Sequence, residues 1–125
     1  MQITTFNPLI ITKNSEETIK LFEALGFERR HQKTGINGKD IVSVSMKDAN
    51  GFHVDITQTD SVPQDITSIR MNVRDFDEAY EFLTARGFKN AQDTKVTDTG
   101  SSKASMMVSP SGFTISLVEH IRKDG

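Results

Sequence analysis

The sequence contains no cysteine. This absence excludes a disulfide framework, thiolate metal ligands and a cysteine nucleophile. No apolar run is long enough to cross a bilayer, and the first residues, MQITTFNPLIIT, lack the basic stretch, apolar run and cleavage site of a secretory signal. We therefore expect a cytoplasmic protein with no membrane partner.

The sequence also lacks an excess of charge of either sign. Its 15 basic and 17 acidic residues give a net charge of -2 and are interspersed along the chain. A nucleic-acid-binding protein needs a positive surface to neutralise phosphates. Nucleic acid is therefore not an expected partner.

An internal repeat is the main feature that the sequence does contain. A shift of 61 positions aligns the two halves without a gap, and two glycine–phenylalanine pairs recur at that shift: Gly26-Phe27 with Gly87-Phe88, and Gly51-Phe52 with Gly112-Phe113. Fixed-period similarity of this kind indicates duplicated structural units. Because 125 residues suit one domain, we predict a single domain, 1–125, built from module 1 (1–61) and module 2 (62–125).

Each half predicts the same order of elements. Asn14 and Asp75 are typical residues before a helix, and Gly26 and Gly87 are typical residues at its end. Apolar alternation bounded by turn residues predicts strands before and after each helix. These strands are 9–11, 27–33, 41–47 and 52–57, then 69–73, 103–108 and 113–118, with a turn region at 35–40 and a connector at 59–65. The predicted fold class is α+β, with two tandem βαβββ modules.

A βαβββ module repeated twice in a chain of about this length resembles the vicinal oxygen chelate superfamily. That superfamily includes glyoxalase I, extradiol dioxygenases, methylmalonyl-CoA epimerase and bleomycin-resistance proteins. The resemblance is carried by ALGF at 24–27, ARGF at 85–88 and the hairpins ANGFHVDI and SPSGFTIS, and it covers essentially the whole chain. It implies a curved mixed sheet around a concave pocket, the glyoxalase/bleomycin-resistance fold, and a homodimer.

The resemblance also identifies four positions at which metal-dependent members hold their ion. These are a His or Gln early in the first strand of each module and a Glu in the last strand. In this sequence they correspond to Asn7, Ser68, Asp55 and Ser116. Because only Asp55 is a strong metal ligand, the site does not suit a catalytic divalent ion. We therefore expect no metal and no other cofactor, and assign no catalytic residue.

Strand alternation identifies the side chains that share a face with those four positions. We expect Arg70, Asp55 and His53 to form a recognition cluster in which Arg70 holds a carboxylate or phosphate. An equally weighted alternative is that Arg70 and Asp55 only pair with each other across the sheet. The full expected ligand-binding set is Arg70, Asp55, His53, Asn7, Ser68, Asn72 and Ser116.

The opposite strand face is uniformly apolar and is predicted to pack on the helices. Its residues are Phe52, Val54, Ile56, Ile69, Met71, Val73, Phe113, Ile115 and Leu117. The contrast between this set and the polar face supports the assignment of the two faces.

The sequence favours a metal-free small-molecule-binding protein of the glyoxalase/bleomycin-resistance type, which sequesters a drug or a metabolite. The alternative is a metal-dependent enzyme of the superfamily, similar to lactoylglutathione lyase or to a dioxygenase. The replaced ligand positions disfavour that alternative, so a binding protein is expected over an enzyme. A third hypothesis is an accessory module that uses the fold for protein contacts alone.

Overall fold

The computed structural model describes residues 1–33, 42–60 and 62–120. The turn predicted at 35–40 lies outside these residues. The described elements are β1 (Ile3–Thr12), α1 (Ser15–Ala24), β2 (Glu28–Lys33), β3 (Val42–Lys47), β4 (His53–Gln58), β5 (Ile66–Val73), α2 (Phe76–Thr84), β6 (Lys89–Asn90), β7 (Thr97–Asp98), β8 (Ser102–Val108) and β9 (Thr114–His120). Neither described helix is long and apolar enough to span a membrane.

The chain divides into two compact units. The first unit contains residues 7–67, and the second contains residues 1–6 together with those from Ser68 onward. In this division residues 1–6 group with the second unit and 62–67 with the first, and the predicted module boundary between 61 and 62 stays a prediction. The organisation of both units as one domain stays a prediction.

Both units have the same strand topology. In the first unit the strand order is β2-β3-β4-β1, with β1 parallel to β4 and the other pairs antiparallel. In the second unit the order is β6-β8-β9-β5, with β5 parallel to β9, β8 antiparallel to its neighbours, and β7 also paired with β8. The predicted repeat of βαβββ modules is therefore confirmed. The units differ in one strand, since the continuous β2 corresponds to two short pieces, β6 and β7.

The two helices begin and end in the same way. The side chain of Asn14 accepts a hydrogen bond from the third amide of α1 at 3.4 Å, and Asp75 does the same for α2 at 3.1 Å. Gly26 and Gly87 follow the helices with φ of 103° and 93°, a conformation that glycine adopts without steric cost. After each glycine, a phenylalanine N–H donates to a carbonyl of the last helical turn, at 2.9 and 3.1 Å.

Each unit has its own core between its helix and its strands. The buried core residues are Ile19, Val44, Met46, Val54 and Ile56 in the first unit, and Met71, Val73, Phe76, Ala79, Leu83, Met107, Ile115 and Leu117 in the second. Burying such a side chain stabilises the fold by about 1.5–3 kcal/mol. The strand face predicted to pack on the helices therefore does so, with two exceptions. Phe52 and Phe113 are 65% and 52% exposed, because each precedes its strand and lies in the hairpin turn.

Candidate functional site

The face of the second unit opposite α2 is formed by β5, β9 and β8. Register partners on neighbouring strands point to the same side of a sheet. Two cross-strand rows on this face are Arg70–Ser116–Met106 and Asn72–Val118–Ala104, and a third contains Ser68, Thr114 and Val108. The alternate residues of the same strands lie in the core. We call this surface the β5–β9–β8 face.

The side chains of the β5–β9–β8 face differ in polarity from one strand to the next. On this face the β5 side chains are polar, and the side chains of Ala104, Met106 and Val108 on β8 are apolar. Arg70, Asn72 and Met106 are partly exposed, whereas Ser116 and Val118 are buried. Ser116 and Val118 of the middle strand are therefore sheltered from water, whereas Arg70 and Asn72 on β5 and Met106 on β8 remain partly accessible.

Ser68 lies at one edge of this face and is bonded to the neighbouring strand. Its side chain is buried, with 3% exposure. Its hydroxyl donates to the carbonyl of Thr114 at 3.0 Å and accepts from the Thr114 hydroxyl at 2.7 Å. Since both functions of the hydroxyl are used within the sheet, Ser68 joins β5 to β9.

Asn72 has a buried acceptor that its surroundings do not use. Among the described residues, no donor forms a hydrogen bond with its Oδ1. A buried polar atom left in this state costs about 1–3 kcal/mol. The Nε of Arg70 is buried as well, and residues two apart on a strand lie about 7 Å from each other on the same face. A cation and an unused acceptor are thus neighbours on β5.

The first unit has an equivalent face opposite α1, formed by β1, β4 and β3. Its rows include Leu9–Asp55–Ser45 and Ile11–Thr57–Ser43. Asp55 is partly exposed, and His53 is exposed at the start of β4, where its register partner is Lys47. Asn7 donates its amide to the carbonyl of the adjacent Pro8 at 3.0 Å.

The expected ligand-binding residues therefore fall into two groups. Ser68, Arg70, Asn72 and Ser116 share the β5–β9–β8 face, whereas Asn7, His53 and Asp55 belong to the first unit. The predicted recognition cluster and the predicted pairing of Arg70 with Asp55 each join residues of different units. Both stay predictions.

The four positions at which the resemblance implies a metal do not form a suitable donor set. Ser68 uses its hydroxyl within the sheet, Ser116 is a buried neutral hydroxyl, and Asn7 offers only an amide oxygen. Within residues 1–33, 42–60 and 62–120, no three His, Asp or Glu side chains are grouped to hold an ion. A divalent transition metal prefers imidazole, thiolate or several carboxylates, so the described donors do not fit one.

One pair of equivalent long-range contacts was not anticipated from the sequence. Gln58, at the end of β4, accepts hydrogen bonds from the backbone amide and the hydroxyl of Ser15 at 3.0 and 2.8 Å. Glu119, near the end of β9, accepts one from the amide of Phe76 at 2.7 Å. Each contact satisfies the first amide of a helix, which has no partner within the helix. The shift of 61 that relates Gln58 to Glu119 also relates Ser15 to Phe76. This repeat is the one feature of the sequence that could have indicated the two contacts.

Solved structures with a similar fold align with most of this chain at low sequence identity. A crystal structure of methylmalonyl-CoA epimerase aligns with a TM-score of 0.71 and 16% identity over 98% of this chain and 99% of that one. A glyoxalase/bleomycin resistance protein/dioxygenase superfamily member from Vibrio splendidus 12B01 gives 0.60 and 15% over 92% and 97% of the two chains. This chain has the vicinal oxygen chelate fold. The predicted fold is therefore confirmed.

Glyoxalase I from Zea mays has the same fold in a longer chain. It aligns with a TM-score of 0.67 and 15% identity over 98% of this chain but only 44% of its own. Comparison of the sequence with protein-family models and with curated proteins gave no match. At these identities the vicinal oxygen chelate fold is what the similarity establishes. The homodimer and the cytoplasmic location stay predictions.

Proposed function

We propose that this chain is a metal-independent small-molecule-binding protein whose ligand lies on the β5–β9–β8 face and is anchored by Arg70. The observation that carries the proposal is the buried Oδ1 of Asn72, which accepts no hydrogen bond from the described residues. Buried polar atoms of native proteins nearly always have a hydrogen-bond partner, so this oxygen requires a donor such as a ligand group or a water. A ligand that supplies the missing donor would recover this free energy on binding.

Arg70 is suited to orient such a ligand. Its guanidinium is planar, permanently charged and able to donate two parallel hydrogen bonds to one acidic group. It lies in the middle row of the face, beside the buried Ser116. Shelter from water strengthens a hydrogen bond between charged groups.

Metal independence is supported by the donors at the four positions discussed above. They comprise one carboxylate, one amide and two serine hydroxyls, of which the Ser68 hydroxyl is bonded within the sheet. An ion held by one carboxylate would be too weakly bound to present a stable open coordination position to a substrate.

The first test is thermal unfolding of the protein with Zn²⁺, Ni²⁺, Mn²⁺ and Fe²⁺, and separately with a chemically mixed library of small metabolites. A ligand at a hundredfold excess over its dissociation constant adds about 2.7 kcal/mol to the unfolding free energy. We expect stabilisation by library compounds and none by the metals. Stabilisation by a metal that is lost in Asp55→Ala would overturn the proposal and favour the metal-dependent enzyme.

A matched pair of arginine variants then tests the site. Arg70→Met keeps the length of the side chain but removes its charge. Arg30→Met makes the same change at an exposed position of β2. We expect the first variant alone to weaken binding of the library compound, by at least about tenfold, since a charged hydrogen bond contributes about 1.5–3 kcal/mol. Equal affinity of Arg70→Met and the native protein would contradict the assignment.

A further inference from the structure

The turn that joins β3 to β4 contains an asparagine followed by a glycine, Asn50-Gly51. Both residues are exposed, and Gly51 has a φ of 89°, a conformation that glycine adopts without steric cost. The side chain of an asparagine has an electrophilic carbonyl carbon, Cγ, on which the next backbone nitrogen can close a cyclic imide. Glycine has no side chain that would hinder this closure.

The amide of Gly51 is held in the turn by one long hydrogen bond among the described residues. It donates to the carbonyl of Asp48 at 3.2 Å, the upper end of the usual range for N–H···O bonds. The carboxylate of Asp48 is engaged elsewhere, because its Oδ1 accepts from the amides of Asn50 and Phe52 at 3.0 and 2.8 Å. The nitrogen that would attack Cγ therefore has a single weak bond to release.

The equivalent turn of the second unit holds its glycine amide more firmly. Gly112 lies 61 positions after Gly51 and donates both to the carbonyl and to the hydroxyl of Ser109, each at 3.0 Å. The residue before it is Ser111, which cannot form an imide. Of these two turns, the first alone combines an asparagine with a weakly held glycine amide.

The other asparagines in the described parts of the chain lack this combination. Each of them precedes a residue with a side chain: Asn7, Asn14, Asn72 and Asn90. The amide after Asn14 also donates to Gln58 at 3.0 Å, and the amide after Asn90 donates to the carbonyl of Met106 at 2.8 Å. A second asparagine–glycine pair, at 37–38, lies outside the described residues.

We infer that Asn50 is a site of spontaneous deamidation and that the product opens the turn between β3 and β4. The nitrogen of Gly51 attacks Cγ of Asn50, its proton leaves with the side-chain nitrogen as ammonia, and a cyclic imide remains. Water then adds to one of the two imide carbonyls. Cleavage of the Cγ–N bond yields aspartate, whereas cleavage of the backbone C–N bond yields isoaspartate. The reaction needs no reactant besides water and is independent of the proposed ligand site.

Both products remove contacts that shape the turn. Nδ2 of Asn50 lies 3.5 Å from Oδ2 of Asp48, so aspartate places a second carboxylate beside the first, and like charges repel. In isoaspartate the backbone is longer by one carbon atom after residue 50. The amide and the carbonyl of Phe52, which both bond to Asp48, then lose their spacing. We therefore expect the adjoining pair of the β3–β4 ladder, Lys47 and His53, to loosen.

Peptide mapping by mass spectrometry tests the site on the native protein, sampled during incubation in warm neutral buffer. We expect aspartate and isoaspartate to accumulate at Asn50 at least about tenfold faster than at Asn14 or Asn90, whose following amides are held by better hydrogen bonds. Asn50→Gln is the matched control, because its longer side chain closes the larger imide ring much more slowly. Modification of Asn50 no faster than that of Asn14 and Asn90 would overturn the assignment.

Ser111→Asn separates the effect of the turn from that of the residue pair. It creates the same asparagine–glycine pair before Gly112, whose amide has two acceptors. We expect position 111 of this variant to deamidate about two- to tenfold more slowly than Asn50 of the same molecule, because one further hydrogen bond must open. Adding Ser109→Ala removes the second acceptor and should remove most of this difference. Equal rates in the Ser111→Asn variant would overturn the role assigned to the Gly51 bond.

Hydrogen exchange followed by NMR tests the consequence, because modified and native molecules give separate signals in a partly modified sample. We expect the amide of Phe52 to exchange at least about tenfold faster in the modified molecules, since its charge-assisted bond to Asp48 is lost. The amide of Gly112 in the unmodified turn is the internal control and should not change. Unchanged exchange at Phe52 would overturn the opening of the turn.

Discussion

The middle rows of the two equivalent faces contain different chemistry. In the first unit the row is Leu9–Asp55–Ser45, and in the second it is Arg70–Ser116–Met106. Every member of one row lies 61 positions from its counterpart in the other. The first row carries an acid on its last strand, and the second carries a base on its first strand. The same arrangement of strands therefore supports two middle rows whose charged side chains have opposite signs.

The turn before the last strand of each unit ends in the same Gly-Phe pair, Gly51-Phe52 and Gly112-Phe113. The turn before β4 closes with a hydrogen bond from the amide of Asp48 to the carbonyl of Phe52 at 3.0 Å, and the turn before β9 has the same bond between Ser109 and Phe113 at 2.8 Å. Such turns restrict the residue types that they accept. Side chains on a face opposite the core are not restricted in this way. The two units therefore share this turn although their middle rows differ.

The largest expected effect on stability comes from equivalent substitutions in the cores of the two units. Ile56 and Leu117 are equivalent residues, and both are 0% exposed. Each change to alanine should lower the free energy of unfolding by about 2–5 kcal/mol, because it leaves a cavity. Urea denaturation measures the loss. Leu21→Ala is the control, since Leu21 is 57% exposed and a surface change of this kind costs within about 0.5 kcal/mol.

The same pair of variants tests whether the two units unfold together. A single transition that shifts in both variants supports the predicted single domain. Two transitions, of which each variant shifts only one, would contradict that prediction.

Much of the fold could be predicted because its signals are local. The caps Asn14 and Asp75 and the terminal glycines Gly26 and Gly87 act within a few residues of their own position. The division of the strand equivalent to β2 into β6 and β7 could not be predicted. It follows from an irregular segment that includes Asp93 with φ of 65°, and no residue pattern specifies such a break.

The candidate site was predictable in part. Strand alternation was sufficient to place Arg70, Asn72 and Ser116 on one face. It could not indicate that Oδ1 of Asn72 is buried without a donor, because that depends on how neighbouring strands pack. Contacts such as that of Glu119 with Phe76 join residues 43 positions apart, and they depend on the tertiary structure in the same way.

A second comparison concerns the glycines that end the helices. A Cβ added to Gly87 would lie 2.9 Å from Cγ of Pro110, whereas a Cβ on Gly26 would meet no described atom within 4 Å. Gly26→Ala should therefore cost about 1–2 kcal/mol, the strain of positive φ. Gly87→Ala should cost about 2–4 kcal/mol, because overpacking adds to that strain.

Unfolding of the double variant Gly87→Ala/Pro110→Ala separates the two causes. Adding Gly87→Ala to the Pro110→Ala variant should lower the free energy of unfolding by no more than Gly26→Ala lowers it in the native protein. An undiminished cost would show that Pro110 is not the source of the difference.

The third comparison concerns the contacts that satisfy the first helical amides. Glu119→Ala should destabilise by about 1.5–3 kcal/mol, since a charged acceptor is lost from a helix N-terminus. Gln58→Ala should cost about 1–2 kcal/mol, because its acceptor is neutral although it serves both the amide and the hydroxyl of Ser15. Thermal unfolding of both variants measures the difference, and Gln58→Glu should be at least as stable as the native protein. A larger loss at Gln58 than at Glu119 would contradict the importance of the charge.

The smallest expected difference is between Ser68 and Asn7, which occupy equivalent positions. Ser68→Ala removes both hydrogen bonds with Thr114 and should cost about 1–2 kcal/mol, because the partly buried hydroxyl and carbonyl of Thr114 lose their partner. Asn7→Ala removes only a contact with the adjacent Pro8 and should stay within about 0.5 kcal/mol of the native protein. A double-mutant cycle of Ser68→Ala with Thr114→Val should give a coupling of at least about 0.5 kcal/mol. Strictly additive effects would mean that the Ser68 hydroxyl does not join the strands and is available to a ligand.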